Sequence, residues 1–161
     1  MSATEATRAG NSDLDVIIVG AGVGGLYALY KLRNLGYRVR IYEAADDVGG
    51  TWYWNRYPGC RCDVESLEYS FSFDDDLQQE WQWPERYGGQ PVILDYVNHV
   101  ADRFDLRKDI QFNTRIKSAK FSNESNRWTI TTESGESVSA PYCIMATGNL
   151  STPRKPDWRG L

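Results

Sequence analysis

The β-branched run Val16 to Val19 passes directly into Gly-Ala-Gly-Val-Gly-Gly, residues 20 to 25, and few folds accept that succession. An unbroken apolar run of this length reads as a strand buried on both faces of a parallel sheet. Gly20, Gly22 and Gly25 hold the G-x-G-x-x-G places, and Leu26, Leu29, Tyr30 and Leu32 then recur at helical spacing up to Gly36. A second strand, Arg38 to Tyr42, ends at Glu43, eighteen residues beyond Gly25. In this pattern the first glycine permits a tight turn, the second lets backbone approach a pyrophosphate, and the third lets the helix pack closely on the sheet. The helix N-terminus attracts the pyrophosphate, and the carboxylate takes the ribose hydroxyls of an adenosine. A carboxylate there repels a ribose 2′-phosphate, so FAD or NAD is expected at this site and NADP is not. Taken alone, the glycines also fit an ordinary strand-to-helix turn.

Six residues after Glu43 begins Gly49 to Asp63, GGTWYWNRYPGCRCD. It is too polar and interrupted for a helix or a regular strand, and a loop this rich in tryptophan and arginine is expected to hold a ligand. Gly49 and Gly50 stand at a spacing from Glu43 that favours FAD over NAD.

Beyond this loop, Asp46 and Asp47 on one side and Asp74 to Asp76 on the other read as solvated. Trp81 and Trp83, like the aromatics of the loop, fall where core packing explains them less well. Gln90-Pro91 starts a helix, because proline suits the first helical position, and Ile93, Tyr96, Val97, Val100 and Phe104 share one face. The sole histidine, His99, lies off that face and no catalytic role is expected of it. Between Ile110 and Ala140 the period changes to two. Ile110, Phe112, Thr114 and Ile116, then Trp128, Ile130 and Thr132, then the surroundings of Val138, predict a three-stranded β-meander. Tyr142 to Ala146 predicts another buried strand, closing in Ala146-Thr147-Gly148. Those small residues are expected where the sheet's carboxyl ends meet the nucleotide, the alternative being a plain strand end.

The fold expected is α/β, a Rossmann-like FAD-binding domain with a parallel sheet, helices and the meander, incomplete because the chain ends early. Residues 1–13 read as a disordered leader, 14–150 as the domain, and 151–161 as a linker toward an absent NADPH-binding domain. A formal charge of −4 removes the electrostatic footprint of a nucleic-acid binder. The apolar runs fall far short of the roughly 20 residues of a membrane span. An odd number of cysteines, Cys60, Cys62 and Cys143, points to a reducing, cytoplasmic setting. No metal site is expected.

The loop sequence resembles the long motif of Baeyer-Villiger monooxygenases, [A/G]-G-x-W-x-x-x-x-[F/Y]-P-[G/M]-x-x-x-D, through Gly49, Gly50, Trp52, Tyr57, Pro58, Gly59 and Asp63. The similarity runs on through DVESLEYSFSF, QEWQWPERY and QPVILDYVNHVADRFDLRKDI to the ATG strand, and looks closest to the phenylacetone, steroid and large-ring ketone members. Cys60 departs from the alanine common in relatives. The family's second fingerprint, F-x-G-x-x-x-H, its NADPH-binding domain and its active-site arginine are not in the chain. The resemblance implies an FAD- and NADPH-dependent enzyme that uses oxygen to convert ketones to esters or lactones, of which this chain is an inactive part completed by the remainder of the polypeptide. It makes Gly20, Gly22, Gly24, Gly25, Glu43, Gly50, Thr51, Trp52, Trp54, Asp63, Tyr69 and Ile116 FAD-contacting positions, with Ala146, Thr147 and Gly148 beside them. Arg61, Cys62 and Asp63 become a strip facing NADPH, and Asp63 the catalytic position that supports the absent arginine. Competing readings are an N- or S-oxidising monooxygenase of the same class, and a non-catalytic flavin-binding module.

Overall fold

Within Val16–Val19 (β1), alternate side chains face opposite layers, and all four are buried. Val16 and Ile18 pack into a cluster with Leu26, Leu29, Val97 and Ala101 from two helices. Ile17 and Val19 pack instead with Ile130, Val138 and Ala140 from the meander. The unbroken apolar run therefore marks the middle of three layers: helices, parallel sheet, antiparallel sheet. This architecture is seen in a computed structural model that describes residues 14–150 and 156–159. The expected leader and residues 151–155 and 160–161 of the expected linker lie outside those residues.

β1 leads into a helix at Val23–Asn34 (α1), which returns to a strand at Val39–Tyr42 (β2). A short strand at Ile110–Gln111 (β3) and the strand Tyr142–Met145 (β7) complete a four-stranded sheet of order β3-β2-β1-β7, in which every pairing is parallel. Val19 is level with Tyr42 on one side and Met145 on the other. Gly20, Glu43 and Ala146 consequently leave the sheet side by side at its carboxyl edge. β1 is flanked by β2, which follows it directly, and by β7, which the chain reaches last, and such a reversal of strand order opens a crevice.

The meander is formed by Ile116–Ser122 (β4), Arg127–Thr132 (β5) and Ser137–Ala140 (β6), all antiparallel. Its first strand starts later than the alternation from Ile110 suggests. Ile110 and Gln111 pair with β2, Asn113 turns the chain at a φ of 52°, and Asn113 and Thr114 donate their N–H groups to Ala45 O and Glu43 O. The period-two pattern spans two strands of different sheets joined by that turn. β7 is also less covered than its composition suggests, with Tyr142 and Met145 exposed at the sheet's edge.

Other helices are Thr51–Trp54 (α2), Asp75–Glu80 (α3) and Gln90–Arg103 (α4). α4 begins at Gln90 with proline in its first turn, and Ile93, Tyr96, Val97 and Val100 are buried, as the spacing predicts. The acidic run at 74 to 76 is not a plain loop. Asp74 caps α3, its carboxylate accepting the Leu77 N–H at 2.8 Å, and Asp75 and Asp76 sit in the first turn, where negative charge is stabilised. Trp81 and Trp83 are half-buried against Phe71, Leu77, Tyr96 and Val100, so packing does account for them. No helix among the described residues is long and apolar enough to cross a membrane.

Candidate functional site

The glycine turn is fixed by steric necessity. Gly20 has a φ of 104°, and a Cβ there would lie 2.5 Å from Ala146 O; a Cβ on Gly25 would lie 2.0 Å from Gly20 O. Gly25 is buried and serves this packing without lining the cavity described below. The space beside Gly22 is filled by another glycine, because its added Cβ would meet Gly50 Cα at 3.5 Å, whereas Gly24 faces open space. α1 therefore starts with no side-chain cap and no acidic residue in its first turn. Its free N–H groups and positive dipole end are available to an anion.

Glu43 is buried at the end of β2, with its two oxygens accepting the N–H groups of Ala21 at 2.6 Å and Ala45 at 2.8 Å. The carboxylate thus fastens the glycine turn to the second strand as well as facing the cavity. This structural duty is not apparent from sequence spacing.

The Gly49–Asp63 segment is less irregular than its composition suggests. Gly49 donates to Ala21 O, Gly50 turns at a φ of 55°, and Thr51–Trp54 forms the single turn α2. Trp52 is buried. Gln90, at the start of α4, holds the segment twice, its side-chain amide donating to Trp52 O at 2.6 Å and its backbone N–H to Cys60 O at 2.9 Å. Farther along, Cys62 donates to Gly88 O, and the Arg61 guanidinium binds Glu85 and Tyr87 O. Asn55 links the segment to the end of the sheet through Leu150 O at 2.8 Å. All three cysteines are free thiols.

These elements line a half-open cavity of about 1250 Å³. Gly20, Gly22, Gly24 and Glu43 line one side, Gly50, Thr51, Trp52, Trp54, Arg61, Cys62 and Asp63 the other, with Tyr69, Ile116, Ala146, Thr147 and Gly148 between. Trp52 and Tyr69 meet edge to face at 5.5 Å between ring centres. Burial, reinforced by Cys62 and Asp63, raises the Tyr69 phenol above its ordinary pKa. Tyr42, also on the wall, is pushed up to about 12 by burial. Asp63 is exposed, and no hydrogen bond or ion pair to its carboxylate exists among the described residues. Sequence reasoning missed Thr114 and Arg115, which join the wall because of the turn at Asn113. Their only signal was an asparagine inside an apparent strand. Among the described residues there is no group of three or more His, Cys, Asp or Glu that could hold a metal.

The NAD(P)-binding Rossmann-like domain family matches residues 18–79. A Baeyer-Villiger monooxygenase of Pseudooceanicola batsensis is 46% identical over 159 residues, covering 98% of this chain and 29% of the relative. A solved steroid monooxygenase bound to NADP superposes with a TM-score of 0.88 at 55% identity, over 93% of this chain and 29% of that one. The chain is homologous to a segment of Baeyer-Villiger monooxygenases. It spans under a third of the length of these Baeyer-Villiger relatives. A phenazine N-monooxygenase of Lysobacter antibioticus is 49% identical over 85% of the chain and 26% of its own length, so overall likeness in this segment does not separate the Baeyer-Villiger enzymes from an enzyme of that name.

Proposed function

We propose that the chain is the FAD-binding portion of an FAD- and NADPH-dependent Baeyer-Villiger monooxygenase that converts ketones to esters or lactones with molecular oxygen. The observation that carries this reading is the meeting, in one cavity, of an anion-ready glycine turn and the Trp52-to-Asp63 segment. The residues fit FAD. The cavity exceeds the roughly 300 to 1,000 Å³ of ordinary small-molecule pockets, as an extended dinucleotide requires, and its uncapped helix start matches a pyrophosphate.

When bound, FAD supplies the redox chemistry with NADPH and dioxygen. The chain's own residues bind and orient. The first turn of α1 takes the pyrophosphate, and Glu43, already fixed by two backbone donors, offers its remaining lone pairs to ribose hydroxyls. Trp52, Tyr69 and Trp54 wall the cavity, and Arg61 with Cys62 forms a strip toward NADPH. Asp63, with no partner among the described residues, is suited to hold an arginine from the part of its relatives that this chain does not span. Its role is charge compensation, because a buried guanidinium without a partner is costly and a fixed charge at the site stabilises developing negative charge. Three free thiols support a reducing, cytoplasmic setting.

An N-oxygenating parent is the second reading, carried by the 49% identity to the phenazine enzyme, which equals that to an acetone monooxygenase. Two measurements decide. Titration of the purified chain with FAD should give a bound flavin spectrum that Glu43→Arg abolishes; no binding by the native chain rejects the cofactor reading. Replacing the corresponding segment of the steroid monooxygenase with this chain should give NADPH- and ketone-dependent oxygen uptake. Uptake with aromatic amines but not ketones favours the second reading.

A further inference from the structure

Behind the cavity wall lies a series of oxidisable rings that the binding of FAD does not require. Trp52 and Tyr69 face the cavity, and Ser70, also on the wall, accepts the indole N–H of Trp83 at 2.9 Å. Trp83 also packs against the cluster that contains Trp52. From Trp83 the rings continue to Tyr96 at 4.9 Å and to Trp81 at 5.8 Å, and Trp81 lies 5.1 Å from Tyr96 between ring centres. Trp81 is half-buried, the most outlying ring of the series. Packing accounts for a large ring there but not for an indole in particular, because its Nε1 is buried without a hydrogen-bond partner among the described residues. A phenylalanine would fill much of that space without stranding a donor.

We propose that Trp83, Tyr96 and Trp81 form an electron relay from the cavity wall to the surface, which drains one-electron oxidation away from the site. The proposal rests on the reading that FAD occupies the cavity. The oxidant is the photoexcited flavin ring, which takes one electron from Trp52 or Tyr69. Trp83, directly or through Tyr96, passes an electron inward to fill that hole, and Trp81 refills it in turn. Trp81 is left one electron short as an indole radical cation, its buried Nε1–H retained. Dioxygen removes the electron from the flavin as superoxide, so each event oxidises one indole by one electron and reduces one dioxygen by one.

The test is illumination of the FAD-loaded chain in air, followed by peptide mass spectrometry of oxygenated tryptophan and tyrosine. Trp158, 72% exposed and outside the relay, serves as the internal reference. Relative to it, Trp81 should accumulate more product than Trp52 and Tyr69. Trp83→Phe should lose the Trp81 product and transfer damage to Trp52 and Tyr69, whereas Trp83→Tyr, which keeps an oxidisable ring, should restore it. Undiminished Trp81 product in Trp83→Phe, or damage confined to the cavity wall in the native chain, overturns the relay. Flavin absorbance is read before illumination; a native chain that holds no flavin overturns the cofactor reading and the relay with it. Should Trp83→Phe not fold, Trp81→Phe takes its place, and unchanged damage at Trp52 and Tyr69 in that variant counts against the relay.

Discussion

The two sides of the cavity are built by different physics. The glycine turn is held by exclusion: at Gly20 and Gly25 any side chain would collide with backbone, so the geometry has one solution. The Gly49–Asp63 segment is held by attachment, through hydrogen bonds to Gln90, Gly88, Glu85 and Leu150 from elsewhere in the chain. A wall fixed by exclusion fails completely when altered. A wall fixed by attachment loosens by degrees and leaves individual side chains, Asp63 among them, free for chemistry.

The harshest way to break this contrast is Gly25→Ala. The new methyl carbon would stand 2.0 Å from Gly20 O, and the obstacle is backbone that cannot swing aside. The expected loss is at or above the upper end of the roughly 1 to 3 kcal/mol typical of overpacking, read as a drop in the denaturant midpoint together with lost FAD binding. A midpoint equal to that of the native chain would show that exclusion does not govern the turn.

Asp63→Ala addresses the opposite extreme. Stability should stay within about 0.5 kcal/mol, as for an exposed residue without partners, and FAD binding should persist. In the steroid monooxygenase chimera, ketone oxidation should fall by a factor on the order of ten to a thousand, the scale of losing preorganised charge stabilisation. Unchanged steady-state turnover in a flavin-replete chimera would reduce Asp63 to a solvated loop residue.

Between these lies Gln90→Ala, which removes the donor to the buried Trp52 carbonyl but leaves the backbone bond to Cys60. A cost of about 1 to 3 kcal/mol is expected for the stranded acceptor. Amide exchange should accelerate across 51–62 and stay slow in β1 and β2; uniform acceleration would mean that the segment is no separate attachment.

The mildest effect should come from outside both walls. Arg38 beside Asp15 lowers that carboxylate from 3.8 to about 2 at the entrance to β1 and β2. Because the folded pKa is depressed, the stability it contributes is present above about pH 4 and is lost as pH falls through about 2. The pair is exposed and the contribution small. Acid titrations of native chain and Asp15→Asn should differ at pH 5 to 6 (about two units above the unfolded pKa) and converge near pH 2; a constant gap would assign the effect to something other than ionisation.

The same contrast explains what could be read from sequence. The strand, glycine turn, helix, strand and acid follow a local grammar, since neighbours in sequence are neighbours in the turn, and β1, α1, β2 and α4 stand where periodicity puts them. Loops governed by distant partners were less legible. Nothing near Trp52 announces that Gln90 will hold it, so the sequence there reads as an irregular loop where the structure has a helical turn and a buried indole. Asn113 adopted a positive φ inside an alternating pattern, and one apparent strand became two. Arg115 entered the cavity wall through that same turn, unseen for the same reason.

The contact between Gly22 and Gly50 joins the two walls at a point where neither carries a side chain. A Cβ added at Gly50 would approach Gly22 Cα to 2.9 Å, whereas one at Gly22 would meet Gly50 Cα at an ordinary 3.5 Å, so the separation of two segments distant in sequence is set by the missing side chain of Gly50. Such a joint makes the turn and the loop a single unit of inheritance. When related genes are shuffled, a breakpoint between codons 22 and 50 should be tolerated where the parent that supplies position 50 carries glycine there, and a larger residue at that place should force the walls apart.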